Sequence, residues 1–405
     1  PAPAPPPRGL RGKEWFGYWE DWCNENEDVT WWEDNTPGHC KGGCVVQKGF
    51  FAKAKTYNTL SYAFSTLLRQ PKPDQNDCSK GSCPIWDGNA IYREKDVSIT
   101  TSSTVENPSA TVVSIGEFCR LSRQFPGGPK RCLIGLGGWS DWARLGSVVN
   151  AQKLAKLAGK LILHTFADGL DLDFEHLAEY TQKYGDGEIE AYIALVNGIR
   201  AEMDALTPEV WNETVTTRIQ ALQAVKQSNN YIKANLAYLA EVALNGPPRF
   251  ELVYTTRFNA FLNPASPFDW EMHETNTTYI TDNEGHKVWP STKSSFDTVN
   301  IMSYDQDAGL TLNFSNILTN FHVHGGVLQE MLNIGFEPGE QGGGGTWEGQ
   351  AADLRAVDFV NSGSWGGGMI WGVNPDKSDQ PKANKLEAGF VNAVSSALEY
   401  PAWPW

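Results

Sequence analysis

The chain has 405 residues, 40% of them apolar and 20% charged, with 39 Gly and 23 Pro; this is globular composition and excludes wholesale disorder. Its 33 basic and 48 acidic side chains leave a net charge of −15, a field that repels polyanions, and with no basic cluster along the chain nucleic acid is not an expected partner. No run approaches the roughly 20 unbroken apolar residues of a membrane span, so no membrane is expected either.

At about 100–200 residues per domain, two or three domains are the default, though one α/β barrel also takes a chain of this size. Residues 1–14 begin with the Pro/Ala run Pro1–Pro7 and read as a semi-rigid tail outside any core. From Trp15 onward, short apolar runs of strand character follow one another: Trp15–Trp19, Thr59–Phe64, Cys132–Leu136, Gly169–Glu175, Glu251–Thr256, Thr298–Tyr304, Leu332–Phe336 and Gly368–Val373. Between several of them, Leu, Ala and Ile recur at three-to-four spacing, predicting helices at Ala151–Phe166, Glu188–Leu206 and Ala352–Asn361. Eight strands with intervening helices predict an α/β fold, a single (β/α)8 barrel over residues 15–400. An open doubly wound sheet is the alternative, but no Gly-x-Gly-x-x-Gly turn follows the first strand. A long Cys- and Trp-rich loop, Glu20 to Tyr57, separates the first two strands, and another follows the second. The last two strands leave space for only one loop and one helix, so no extra domain is inserted there.

The seven cysteines, Cys23, Cys40, Cys44, Cys78, Cys83, Cys119 and Cys132, include no Cys-x-x-Cys pair and no His at a zinc-like spacing. Disulfides are therefore expected, with pairing open and one thiol left over, which implies an oxidising compartment. Asn212, Asn276 and Asn313 begin glycan acceptor triplets. The chain starts at Pro without Met and is read as a processed secreted form. Sixteen Trp is a large number of rings to keep unless they pack or bind something ring-shaped.

The densest chemical signal is Asp168-Gly-Leu-Asp171-Leu-Asp173-Phe-Glu175. On a strand, residues two apart share a face, so Asp171, Asp173 and Glu175 line one face and Leu170, Leu172 and Phe174 the other. In a barrel the apolar face meets the helices and the three carboxyls point inward, with Glu175 at the C-terminal mouth. Such neighbours do not all ionise cheaply, so a proton is shared or one pKa is raised. A solvated edge strand rarely repeats acids at three same-face positions, and a hard-oxygen metal site lacks a supporting ligand run, so no metal and no cofactor are expected.

This run resembles the Asp-x-x-Asp-x-Asp-x-Glu signature of glycoside hydrolase family 18, the chitinase family. Other stretches resemble that family in order: Gly17-Tyr18-Trp19 and Ser61-Tyr62-Ala63-Phe64 its first two strands, Leu136-Gly137-Gly138-Trp139 the glycine-rich end of the third, Met302-Ser303-Tyr304-Asp305 the sixth, and Trp371 the tryptophan of the eighth. The resemblance spans Trp15 to Asn374 and implies retaining, substrate-assisted hydrolysis, an exception to the two-carboxylate scheme. It implies that Glu175 is the general acid, that Asp173 holds the substrate acetamido N–H with Asp171 buried behind it, and that Tyr304 bonds the acetamido carbonyl. Tyr18, Phe64, Gly138, Trp139, Met302, Asp305 and Trp371 are the substrate-binding residues it implies, with Trp371 as the floor.

Two positions depart from the family pattern. Gly135 stands where a Ser usually supports the inner aspartates, so another group must replace that hydroxyl; Phe174 stands where Trp is commonest, which alters packing rather than chemistry. Trp31, Trp32 and Trp142 either stack sugars or pack loops, Arg257 reads as structural, and His176 reads as a structural residue pointing off the acid face. The implied function is a secreted, monomeric, endo-acting chitinase whose partners are chitin or chitooligosaccharides. An endo-β-N-acetylglucosaminidase acting on N-glycans and a non-catalytic chitooligosaccharide-binding protein are the alternatives, the second opposed by the retained Glu175.

Overall fold

The computed structural model describes residues 13–20, 50–66, 90–94, 97–101, 108–138, 141, 145–176, 180, 183–185, 187–224, 230–258, 296–304, 312–323, 327–337 and 349–373. Strands β1 (Glu14–Glu20) and β2 (Thr59–Thr66) pair in parallel. An antiparallel hairpin, β3 (Ala90–Glu94) and β4 (Val97–Thr101), extends from the end of β2. Then come β5 (Arg131–Gly137), β6 (Gly169–Asp173), β7 (Glu251–Arg257), β8 (Thr298–Met302), β9 (Leu332–Phe336) and β10 (Gly367–Ile370). The order β1-β10-β9-β8-β7-β6-β5-β2, with β1 also paired to β2, closes eight parallel strands into the expected barrel.

Helices clothe the barrel: the short α1 (Phe50–Lys53), α2 (Pro108–Arg123), α3 (Val148–Thr165), α4 (Gly187–Asp204), α5 (Pro208–Gln223), α6 (Asn230–Asn245), α7 (Phe314–Val323) and α8 (Gln350–Ser362). Helix α3 starts where Ser147 accepts the Asn150 N–H at 3.2 Å, meeting a donor the first turn would otherwise leave open. Helices α5 and α6 stand between β6 and β7 beside the predicted α4. Of α5, only Trp211 and Val215 are buried, the Trp211 ring set edge-on to Phe166 and Phe250, so its sequence carries little apolar periodicity. Between β9 and β10 the described residues form one helix, α8.

Two cores result from the strand pleat. Outward residues such as Leu170, Leu172, Ile134 and Leu136 join the helices in one apolar layer. Inward, Phe16, Tyr18, Ala63, Phe64, Leu133, Val253, Met302 and Met369 fill the barrel. A disulfide joins Cys119 on α2 to Cys132 on β5, tying a helix to the strand it covers. The other five cysteines, Trp31, Trp32, Trp142, Asn276 and the Pro-rich residues 1–12 lie outside the described residues. Asn212 and Asn313 are exposed, and the Asn313 side chain caps α7 by accepting the Asn316 N–H at 3.1 Å. Among the described residues, no helix is long and apolar enough to cross a membrane.

The N-terminal end of the barrel is closed by charge. β1 begins at Glu14, one residue inside the stretch assigned to the tail, because its carboxylate is part of this closure. The Arg131 guanidinium pairs with both Glu14 and Glu251. Thr59 donates to Glu14 at 2.7 Å, Thr298 to Glu251 at 2.7 Å, and the Asn333 amide to Glu14 at 2.8 Å. Burial makes such a cluster expensive to break, because each lost partner leaves an uncompensated charge. Arg131→Met is expected to cost about 3–5 kcal/mol in chemical denaturation, and adding Glu14→Gln and Glu251→Gln should recover much of it. An unchanged midpoint in the single variant would show that the closure contributes nothing.

Candidate active site

The site lies at the opposite, C-terminal end. Asp171 and Asp173 sit on β6 in register with Gly135 and Gly137 of β5, with Asp171 fully buried and Asp173 3% exposed. Their side chains turn into the lumen while Leu170 and Leu172 turn to the helices and Phe174 packs edge-on against Tyr192, as the pleat requires. Asp168, before the strand, faces elsewhere: its carboxylate accepts the Cys132 N–H at 2.8 Å and pairs with Arg123 at 2.5 Å. It anchors the start of β5.

The hydroxyl that Gly135 lacks is supplied from other strands. Thr255 on β7 donates to Asp171 Oδ1 at 2.7 Å and, having given its one proton there, accepts from the Tyr18 phenol at 2.7 Å. The Asn300 amide reaches the same phenol oxygen at 3.4 Å. Ser61 Oγ and Asp171 Oδ2 are buried without a hydrogen bond of ordinary geometry, though the Ser61 hydroxyl lies near enough to favour the anion. Burial pushes the Asp171 carboxyl up to about 6, and the hydroxyls of Tyr18, Thr255 and Ser61 only partly offset it. Burial likewise raises the Tyr18 phenol well above its usual value, with the charges of Asp171 and then Asp173 adding to the effect. Asp171 is thus an acid of the row with a raised pKa, but the cause is burial and not the neighbouring carboxyls of the row on which the sequence expectation rested.

Gly135 has a steric reason. A Cβ there would come within 2.8 Å of the Phe64 ring and 3.1 Å of the Tyr62 carbonyl. The ring that excludes it stacks on Trp371, centroids 5.5 Å apart and planes 17° apart, and Tyr18 leans on the same indole at 5.5 Å. Gly137 and Gly138, at φ 124° and 84°, end β5 in a conformation that only glycine adopts readily. Here the Gly138 N–H bonds to the Asp173 carbonyl at 2.8 Å, and a Cβ at Gly138 would meet the Phe64 ring at 2.7 Å.

Strands β6 and β8 end at Asp173 and Met302, earlier than the sequence reading, so Glu175 and Tyr304 stand just beyond strand ends. Both are half-buried; Tyr304 and Trp371 pack on the lumen cluster that holds Phe64 and Met302, and the Tyr304 hydroxyl reaches Met369 Sδ at 3.9 Å. Because pairing stops at Asp173, the strict alternation of faces stops there too. His176, assigned off the acid face, in fact lines the same small cavity as Asp173 and Glu175. Asp141 and Glu188, which the sequence reading did not single out, line it as well; no local spacing links them to the acid run. Arg257 closes β7, half-buried. Trp139 and Asp305 lie outside the described residues, and among those described no group of three or more His, Cys, Asp or Glu is arranged to hold a metal ion.

Asp171→Asn tests the electrostatics. A carboxyl whose pKa is raised on folding costs nothing well below its unfolded value of about 4 and carries a penalty that grows as pH rises from about 4 to about 6 and then levels off. The stability of the Asn variant relative to wild type should therefore rise from pH 4 to pH 7 by about 2.5 kcal/mol. A difference independent of pH, by urea titration at each pH, would show that Asp171 keeps an ordinary pKa.

No family model and no curated protein sequence matches the chain. Solved structures do. A chitinase of glycoside hydrolase family 18 from Pseudoalteromonas aurantia is 14% identical with a TM-score of 0.52, over 95% of this chain and all of that one. A family 18 chitinase from Chromobacterium violaceum is 13% identical, TM-score 0.51, over 96% of this chain and 85% of that one. Human YKL-39, described as a pseudo-chitinase with retained chitooligosaccharide binding, is 11% identical, TM-score 0.50, over 96% of this chain and all of that one. The chain has the fold of the glycoside hydrolase family 18 catalytic domains.

Proposed function

We propose that the protein is a retaining, substrate-assisted chitinase. The observation that carries this reading is the stack of carboxyls at the end of β6: Asp171 buried beneath hydroxyl donors, Asp173 above it, and Glu175 half-exposed at the mouth. The fold alone is common to hydrolases and to a pseudo-chitinase, so function rests on the residues of the site. The acid Glu175 favours the hydrolase.

In this reading Glu175 protonates the glycosidic oxygen as the bond to the anomeric carbon breaks. The carbonyl oxygen of the sugar's own N-acetyl group attacks that carbon, giving an oxazolinium ion whose N–H is held by Asp173. Water then adds at the same carbon, returning its proton to Glu175 and regenerating the acetamide with the original anomeric configuration. An intramolecular nucleophile supplies a high effective molarity, so no protein nucleophile is required. Asp171, with its pKa near 6 and its link to Tyr18 through Thr255, can take or release charge as Asp173 binds the cation. Trp371, backed by the parallel Phe64 ring, offers an apolar face to a pyranose, and Tyr304 stands beside it for the acetamido carbonyl.

The short connection between β9 and β10 supports an open groove, in which a polymer binds mid-chain, and thus endo action. The Cys119–Cys132 disulfide supports an oxidising, extracellular location, where the protein acts as a monomer.

Glu175→Gln is expected to lower turnover on a soluble chitin derivative at least about 100-fold while leaving oligosaccharide affinity nearly intact, because only the proton donor is lost. A variant keeping more than about a hundredth of the activity would remove Glu175 from the role of acid. The first product seen by NMR should be the β-anomer; an initial α-anomer would rule out the substrate-assisted path. Release of glycans from a glycoprotein without cleavage of chitin would favour the endo-β-N-acetylglucosaminidase alternative.

A further inference from the structure

A series of buried polar side chains joins the two ends of the barrel through its lumen. Asn300 on β8 stands in register with Thr255 on β7 and with Asn333 on β9, and all three are buried. The Asn333 side-chain nitrogen donates to Glu14 Oε2 at 2.8 Å and to Asn300 Oδ1 at 3.0 Å. The Asn300 nitrogen then reaches the Tyr18 phenol oxygen at 3.4 Å, the longest link. Tyr18 stands 2.7 Å from Thr255, and Thr255 stands 2.7 Å from Asp171 Oδ1. The direction of the series follows from its Glu14 end. A carboxylate held by Arg131 and Thr59 only accepts, so it faces the nitrogen of Asn333, although this leaves Asn333 Oδ1 buried with no hydrogen bond among the described residues. That nitrogen requires the oxygen of Asn300 opposite it, which puts the Asn300 nitrogen at the phenol. A phenol that accepts from Asn300 sends its own proton to Thr255, and Thr255 sends its proton to Asp171. The charges of Asp173 and Tyr304 also act on the phenol, that of Glu14 acts on Asp171, and the phenol lies near enough to Asp171 to favour its anion directly.

We propose that Asn300 and Asn333 are positioning residues for Asp171: anchored on Glu14, they fix the direction of this hydrogen-bond chain, so that Thr255 donates to Asp171 Oδ1 and any proton Asp171 holds sits on Oδ2. That Asp171 serves hydrolysis rests on the chitinase reading; the chain itself does not. The effect falls on the neutral acid. Asp171 protonated on Oδ1 would have to donate to Thr255, which would turn the Thr255 proton to Tyr18 and the Tyr18 proton to the Asn300 nitrogen, itself a donor. Protonation is left to Oδ2, which is buried with no hydrogen bond among the described residues. A neutral form denied its better-bonded oxygen is disfavoured, so the fixed direction supports the anion against the cost of burial.

Carbon NMR of protein labelled at its aspartate carboxyls, with the Asp171 signal assigned by its loss in Asp171→Asn, reads this titration directly. Asn300→Ala leaves room beside the phenol for water, which accepts as readily as it donates, and Asn333→Ala frees the Asn300 amide to turn its oxygen to the phenol. Both should raise the Asp171 midpoint by about half a unit or more. In a Tyr18→Phe background neither should move it, because the two amides reach Asp171 through the phenol. An effect through space, or a general loosening of the barrel, would persist in both backgrounds. If the amide variants do not fold, wild type gives the reciprocal measurement. There the side-chain amide signals of Asn300 and Asn333 should shift with the Asp171 midpoint, and Tyr18→Phe should abolish the shift. A midpoint that neither amide variant raises, shifts of equal size with and without the phenol, or amide signals indifferent to Asp171 overturn the proposal. A protein inactive on chitin but with the coupling intact sinks the hydrolase reading alone and supports the chain, because the titration needs no turnover.

Discussion

The pleat of β6 forces an acid into the interior of the barrel, and much of the C-terminal half of the lumen answers that constraint. Asp171 has no exposure to water, and the groups that face it are hydroxyls rather than cations. Hydroxyl donors satisfy a carboxylate without cancelling its charge, so the cost of burial remains and the pKa rises. The opposite end of the barrel solves the same problem differently. There Glu14 and Glu251 meet the Arg131 guanidinium directly, and further donors close the set. One end is clamped as ion pairs; the other leaves a proton free to move between states.

Packing at the mouth follows from the same lumen. Phe64, lying flat against Trp371, needs room on its other side, and that room is taken from positions 135 and 138, where a Cβ would strike its ring. The loss of a serine hydroxyl at Gly135 is therefore coupled to the position of an aromatic ring. The support that Asp171 would have drawn from β5 is drawn from β7 and β1 instead, through Thr255 and Tyr18. Shape and electrostatics are thus adjusted together.

Much of this was legible in the sequence. All eight barrel strands coincide with short apolar runs, and the inward and outward faces of β6 follow from alternation alone, as Leu170 and Leu172 in the helical layer and Asp171 in the lumen illustrate. Helix α5 was not, because it buries only Trp211 and Val215, and a helix lying mostly in solvent has little periodicity to read. Nor was the Cys119–Cys132 bridge, which joins neighbours in space whose pairing no spacing dictates. The replacement for the missing serine was equally hidden, since Thr255 is 84 residues from Asp171 and meets it only through strand register.

His176 and Glu188 mark the point where local pattern stops being informative. Period-two alternation holds only while a strand is paired, and β6 ends at Asp173. Past that residue the chain turns, so consecutive residues Glu175 and His176 reach one cavity instead of opposite faces. The acid motif is consequently two environments rather than one row. Asp171 belongs to the lumen with Tyr18 and Thr255, whereas Glu175 faces the start of α4 and the turn after β5. Separate surroundings allow two nearby carboxyls to take different protonation states at one pH, which acid–base chemistry at a single site requires.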